Sequence, residues 1–152
     1  MVEYTREKRF KTRSVNGTLA IAETIAELLP APRLVVLRGE LGAGKTTLVK
    51  GWVKALRAGE PEEVTSPTFT LVHEYDGVQF GKPVRLYHLD LYRLETERDL
   101  ASLHLEEMID QPDALVLVEW GDKFASVIDR ADAEVALAPL EGDERSFLVR
   151  WR

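Results

Sequence analysis

Hydrophobic positions follow several rhythms along this chain, and each predicts an element. Between residues 15 and 29, Leu19, Ala22, Ile25, Ala26 and Leu29 recur at helical spacing. Ser14 or Asn16 can cap that helix, and Pro30 and Pro32 end it. Two runs, RLVVLRG at 33–39 and ALVLVE at 114–119, are apolar on successive positions instead. Such runs suit strands covered on both faces, as in a parallel sheet. The segment REKRFKTR alternates weakly and predicts a short edge strand ahead of the first helix.

The stretch TTLVKGWVKALRA returns to helical spacing, with Leu48, Val49, Trp52, Val53 and Leu56 as the inward stripe. Two β-rich stretches follow, Thr68 to Tyr75 and Val84 to Leu91, around Asp76-Gly77 and Gly81-Lys82-Pro83. They predict an antiparallel hairpin with a rather long loop. Thr96 can cap a helix from Glu97, with Asp99 at capping-box spacing, and Leu100, Leu103 and Met108 carry it toward Gln111-Pro112. The tail EVALAPLEGDERSFLVRW predicts two strands joined by the turn EGDE. The sum is a mixed α/β sheet with helices packed on it and antiparallel strands toward its edges.

With 152 residues, no repeat and no long linker, the chain is expected to form a single domain over 1–152. It contains no cysteine, which excludes disulfides and zinc–thiolate sites and fits a reducing, cytoplasmic setting. The N-terminus MVEYTREKRFKTRS lacks a signal-peptide core, and no apolar run is long enough to span a bilayer, so a soluble protein without membrane attachment is expected. The net charge of −6 argues against gripping nucleic acid directly. The one basic cluster, Arg6, Lys8, Arg9, Lys11 and Arg13, reads as a charged strand edge or as a contact for a larger partner.

Residues 39 to 47, GELGAGKTT, change the picture. Gly39, Gly44, Lys45 and Thr46 complete the pattern G-x-x-x-x-G-K-[ST], here between a buried strand and a helix. By composition, a chance match in a chain of this length is rarer than about one in a hundred. Glycines let successive main-chain N–H groups, from Gly39 through Glu40, Leu41, Gly42, Ala43, Gly44 and on to Thr47, turn toward a β-phosphate. Lys45 can reach β- and γ-phosphates, and the Thr46 hydroxyl can sit on Mg2+. A carboxylate at a neighbouring strand end must complete such a site. Glu119 ends the continuously apolar run and is assigned to the metal; Asp90, in an alternating stretch that suits a hairpin strand, is the candidate for positioning water or supporting the metal. Thr65, Ser66 and Thr68 around Pro67 read either as a switch closing over a γ-phosphate or as a Ser/Thr-rich turn.

Three uses of the nucleotide compete. A GTPase needs an N-K-x-D motif, and WGDK at 120–123 has the wrong order. A small-molecule or nucleotide kinase commonly needs an Arg-rich lid, for which only Arg93 and Arg98 are available. An ATPase acting on a protein partner fits the small core best. GELGAGKTT, TSPTFTLVHEY, YHLDLYRL and LVEW, in this order and spacing, resemble the TsaE family, the bacterial P-loop ATPase of tRNA threonylcarbamoyladenosine synthesis. The resemblance spans essentially the whole chain. It implies a P-loop NTPase-like fold and slow, Mg2+-dependent ATP hydrolysis that resets a complex of TsaD and TsaB, with tRNA reached only through them. It also implies that Thr46 and Glu119 hold magnesium, that Asp90 is needed for hydrolysis, and that Trp120 follows the metal-binding glutamate. On the same basis the TSPTFT hydroxyls form the switch, and Ser14 and Arg145 lie near the base.

Overall fold

The computed structural model describes residues 3–40, 43–67 and 70–152. In chain order the elements are β1 (Arg6–Thr12), α1 (Val15–Leu28), β2 (Arg33–Arg38), α2 (Lys45–Ala55), β3 (Val72–Gln79) and β4 (Lys82–Asp90). Then follow α3 (Glu97–Ala101), α4 (Leu105–Ile109), β5 (Ala114–Glu119), α5 (Ala125–Arg130), β6 (Ala133–Pro139) and β7 (Arg145–Trp151). The strands form one seven-stranded sheet in the order β1-β7-β6-β2-β5-β4-β3. Its centre, β6-β2-β5-β4, is parallel, while β1, β7 and β3 pair antiparallel outside it. This is the expected α/β sheet with antiparallel flanks.

The continuous apolar runs are explained by two cores. Val35, Leu37, Leu115 and Leu117 pack under α1 and α2 with Ala22, Ile25, Leu48 and Trp52. Leu34, Val36, Val116 and Val118 face the other way, against Leu100, Leu105, Phe124 and Val127 of α3, α4 and α5. Strands β2 and β5 therefore have no solvent face, and every position is apolar until the strand ends.

Local chemistry sets the boundaries. Ser14, rather than Asn16, caps α1, its hydroxyl accepting the Gly17 N–H at 3.0 Å. Thr96 and Asp99 form the capping box that opens α3. The single helix expected from Glu97 to Gln111 is instead two short ones. His104 adopts a left-handed conformation (φ 56°) that redirects the chain, so that both Leu100 and Leu105 reach the core. The hairpin also differs from expectation: β3 begins later and β4 earlier, and the connection is the tight turn Phe80-Gly81, both at positive φ. Asp76-Gly77 lies within β3, because Gly77 must pass close over the end of α2. A Cβ there would overlap the Leu56 carbonyl oxygen, and Val78 N–H donates to that oxygen at 2.7 Å.

Helices α1 and α2 cross closely at Gly51. A methyl group added there would overlap Ala22 and lie 3.1 Å from the Leu19 carbonyl oxygen. Gly51→Ala should therefore destabilise the protein by about 1–3 kcal/mol, although alanine is the better helix former. Urea unfolding measures this; an unchanged or raised midpoint would show that the crossing has slack.

Candidate nucleotide-binding site

The loop from β2 to α2 opens at the carboxyl end of the parallel sheet, where ligands settle in folds of this kind. Gly39 leaves little room for a side chain, since a Cβ would stand 3.0 Å from the Leu137 carbonyl oxygen and 3.1 Å from the Ala43 methyl. Gly44 is left-handed (φ 103°) and starts α2 without a side-chain cap. No described side chain caps the first-turn N–H groups of Lys45, Thr46 and Thr47, the kind of helix start that can accept an anion. Leu41 and Gly42 lie outside the described residues.

Lys45 is buried, and its ammonium donates to the main-chain carbonyls of Gly39 and Glu40, the latter at 3.2 Å. It also lies 4.4 Å from the centre of the Trp120 ring. Burial lowers its pKa from the usual 10.5, and Glu119, Asp90 and Asp122 pull it back up. The lysine thus lies among three carboxylates while donating to its own loop.

Side-chain alternation brings two of those carboxylates together. Leu115 and Leu117 face α1 and α2, so Glu119 does as well. Leu86 faces the same side, so His88 and Asp90 follow it. Asp90 and Glu119 are direct register partners across β4 and β5, and each is 4% exposed. Glu119 also pairs with Leu37 of β2, two residues before the phosphate loop begins. The contrast drawn from sequence between a hairpin strand and a parallel strand does not separate them. Strand β4 is both, antiparallel to β3 and parallel to β5.

Asp90 accepts the Ser66 hydroxyl at 3.2 Å and the Tyr92 N–H at 2.9 Å. Thr65 and Ser66 are exposed beside a buried Pro67, while Thr68 lies outside the described residues. Trp120 is held left-handed (φ 63°) with its ring 5.1 Å from that of Tyr92. Ser14 and Arg145, far apart in sequence, line one cavity of about 370 Å3 with Arg13, Asp143 and the loop residues Gly44 and Thr47. Arg145 is braced by the carbonyls of Gly142 and Glu144, at 3.3 and 2.8 Å.

Two residues absent from the sequence reading belong to this neighbourhood. His88 is wholly buried, with Nε2 2.5 Å from Oε2 of Glu119. Its position two before Asp90 in an alternating strand is the signal that would have found it. Lys123 donates to the Tyr92 and Leu94 carbonyls at 2.8 and 2.6 Å, tying the chain after Asp90 to the turn after Glu119. No sequence pattern announces that contact.

Among the described residues, no group of three His, Asp or Glu side chains forms a ready-made metal cage. Mg2+ needs no such cage, since it takes one or two protein oxygens and completes its shell with water and phosphate, and the Glu119 carboxylate is an oxygen donor of that kind. The model of the family Threonylcarbamoyl adenosine biosynthesis protein TsaE matches residues 12–147. The chain belongs to the TsaE family. Proteins named tRNA threonylcarbamoyladenosine biosynthesis protein TsaE are similar to it in several bacteria. That of Nostoc sp. is 44% identical over 71% of this chain and 64% of its own length. That of Treponema pallidum is 36% identical over 93% and 98%, and that of Bacillus subtilis 37% over 92% and 84%. The crystal structure of Bacillus subtilis YdiB superposes with a TM-score of 0.71 at 28% identity, covering 96% of this chain and 86% of that one. TsaE family membership and the P-loop-like fold support an ATP-utilising enzymatic role. No described helix is long and apolar enough to cross a membrane.

Proposed function

We propose that this chain binds ATP with Mg2+ at the β2–α2 loop and hydrolyses it slowly, as a step in forming N6-threonylcarbamoyladenosine in tRNA. The observation that carries the reading is the meeting of Lys45, Glu119 and Asp90 at one sheet end, where the sequence carries a complete phosphate-loop pattern, in a TsaE family chain. Lys45 exchanges the carbonyls of Gly39 and Glu40 for β- and γ-phosphate oxygens, and the main-chain N–H groups of residues 39–47 surround the β-phosphate. The Thr46 hydroxyl and Glu119 would hold Mg2+, whose charge offsets that of the phosphate oxygens. Asp90 orients the attacking water. Thr65, Ser66 and Thr68 close over the γ-phosphate, Trp120 flanks the phosphates beside Lys45, and the base lies between Ser14 and Arg145.

In this reading the protein works in the cytoplasm on a complex of TsaD and TsaB, and meets tRNA only through it. Nucleotide occupancy favours one partner-bound state, and hydrolysis releases it. The isolated chain should turn over slowly, because a transition state open to water is poorly stabilised until a partner covers it. Copurification with TsaD and TsaB, with and without ATP, tests the partnership, and adding the pair to an ATPase assay should raise the rate. Fast turnover by the chain alone, or phosphoryl transfer to a small acceptor, would overturn it.

A further inference from the structure

The pairing of His88 with Glu119 has features that stability does not explain. His88 is wholly buried, its Nδ1 has no hydrogen-bond partner among the described residues, and Nε2 lies 2.5 Å from the Glu119 carboxylate. A leucine would fill the same sheet position without an orphaned polar atom, and a buried polar pair is weak ground for stability. The orphan also fixes the tautomer. With no acceptor for Nδ1 among the described residues, Nε2 is the nitrogen that donates, to Glu119.

We infer that His88 is the positioning residue that presents Glu119 to the metal, an inference resting on the metal role proposed above for Glu119. Among the described residues, the His88 contact is the only hydrogen bond to the Glu119 side chain. One oxygen, Oε2, is thus taken by a group rooted in the neighbouring strand, and Oε1 is left for a cation. Both anchors are rigid: β4 and β5 run side by side in parallel, and His88 and Glu119 project to the same face. Without the tether a buried glutamate has several rotamers to choose from, and the cation must fix one. Outer partners of this kind typically contribute about 10–100-fold to metal affinity.

The test is isothermal titration of a non-hydrolysable ATP analogue across a series of Mg2+ concentrations, with an EDTA arm, and Mn2+ binding read by electron paramagnetic resonance. Glutamine places an N–H where His88 carries Nε2, whereas asparagine is too short and mimics the Nδ1 side. His88→Gln should therefore keep the magnesium requirement near that of the unaltered protein. His88→Asn should raise the Mg2+ concentration for half-maximal binding about 10-fold or more, with metal-free nucleotide affinity unchanged. On a Glu119→Gln background, His88→Asn should add nothing. Because His88→Gln and His88→Asn are compared with each other, the result does not depend on an apolar replacement folding well. Equal magnesium requirements for the two, or a loss that persists in EDTA, would overturn the positioning role while Glu119→Gln still abolished the metal effect. A normal requirement in Glu119→Gln itself would instead overturn the metal role of Glu119, and this inference with it.

Discussion

Lys45→Ala should weaken ATP binding by about 100-fold or more, since a charge-assisted hydrogen bond to phosphate contributes about 1.5–3 kcal/mol and two phosphates lose their partner. The fold should survive the change. Among the described residues the ammonium donates hydrogen bonds to the carbonyls of Gly39 and Glu40 and lies over the Trp120 ring, and it is held there against the cost of burial. Lys45→Arg is a sharper form of the test. The pocket between the loop carbonyls and the Trp120 ring is built around a compact ammonium, so the planar guanidinium should not restore affinity. Calorimetric titration reads both variants; affinity within threefold of the unaltered protein would remove Lys45 from the phosphate site.

Asp90→Asn should leave ATP binding close to normal and reduce hydrolysis by about 100-fold or more, the range expected when a group that orients and deprotonates the nucleophile is lost. Asparagine is the informative substitution. Its carbonyl oxygen can still accept the Tyr92 N–H that Asp90 now accepts at 2.9 Å, so the turn after β4 keeps its support while the negative charge disappears. Asp90→Ala removes that support and the Ser66 contact together, and should also lower stability by about 1–3 kcal/mol. Single-turnover hydrolysis alongside nucleotide titration separates the two effects. If Asp90→Asn hydrolyses normally, the water-positioning role is wrong; if it fails to bind ATP, Asp90 belongs with the metal.

The parallel centre of the sheet was legible because burial on both faces leaves a continuous apolar mark, as in RLVVLR and ALVLVE. The phosphate loop was legible because its pattern is contiguous in sequence, with left-handed Gly44 set by local backbone geometry, although Gly39 also makes room for the Leu137 carbonyl oxygen of β6. What the sequence did not show was pairing between strands. The alternation through β4 reports its faces but not that β5 lies beside it, so the adjacency of Asp90 and Glu119 emerges only from the assembled sheet. Alternation places His88 on the same face as Asp90, but its pairing with Glu119, 31 positions away, emerges only from the sheet. The hairpin loop is shorter than the sequence suggests because Asp-Gly is a strong turn signal, whereas Gly77 is small for packing against α2 and only Phe80-Gly81 of the expected loop forms the turn. Ser14 and Arg145 carry no motif of their own, and share a cavity because β1, antiparallel to β7, sets the start of α1 near the turn before β7.

The most direct test is a crystal structure of the chain with a non-hydrolysable ATP analogue and Mg2+. The Lys45 ammonium should have left the Gly39 and Glu40 carbonyls for the β- and γ-phosphates, with the metal between the Thr46 hydroxyl and the Glu119 carboxylate. Lys45 still bonded to its own loop, with the analogue bound elsewhere or absent, would contradict the account.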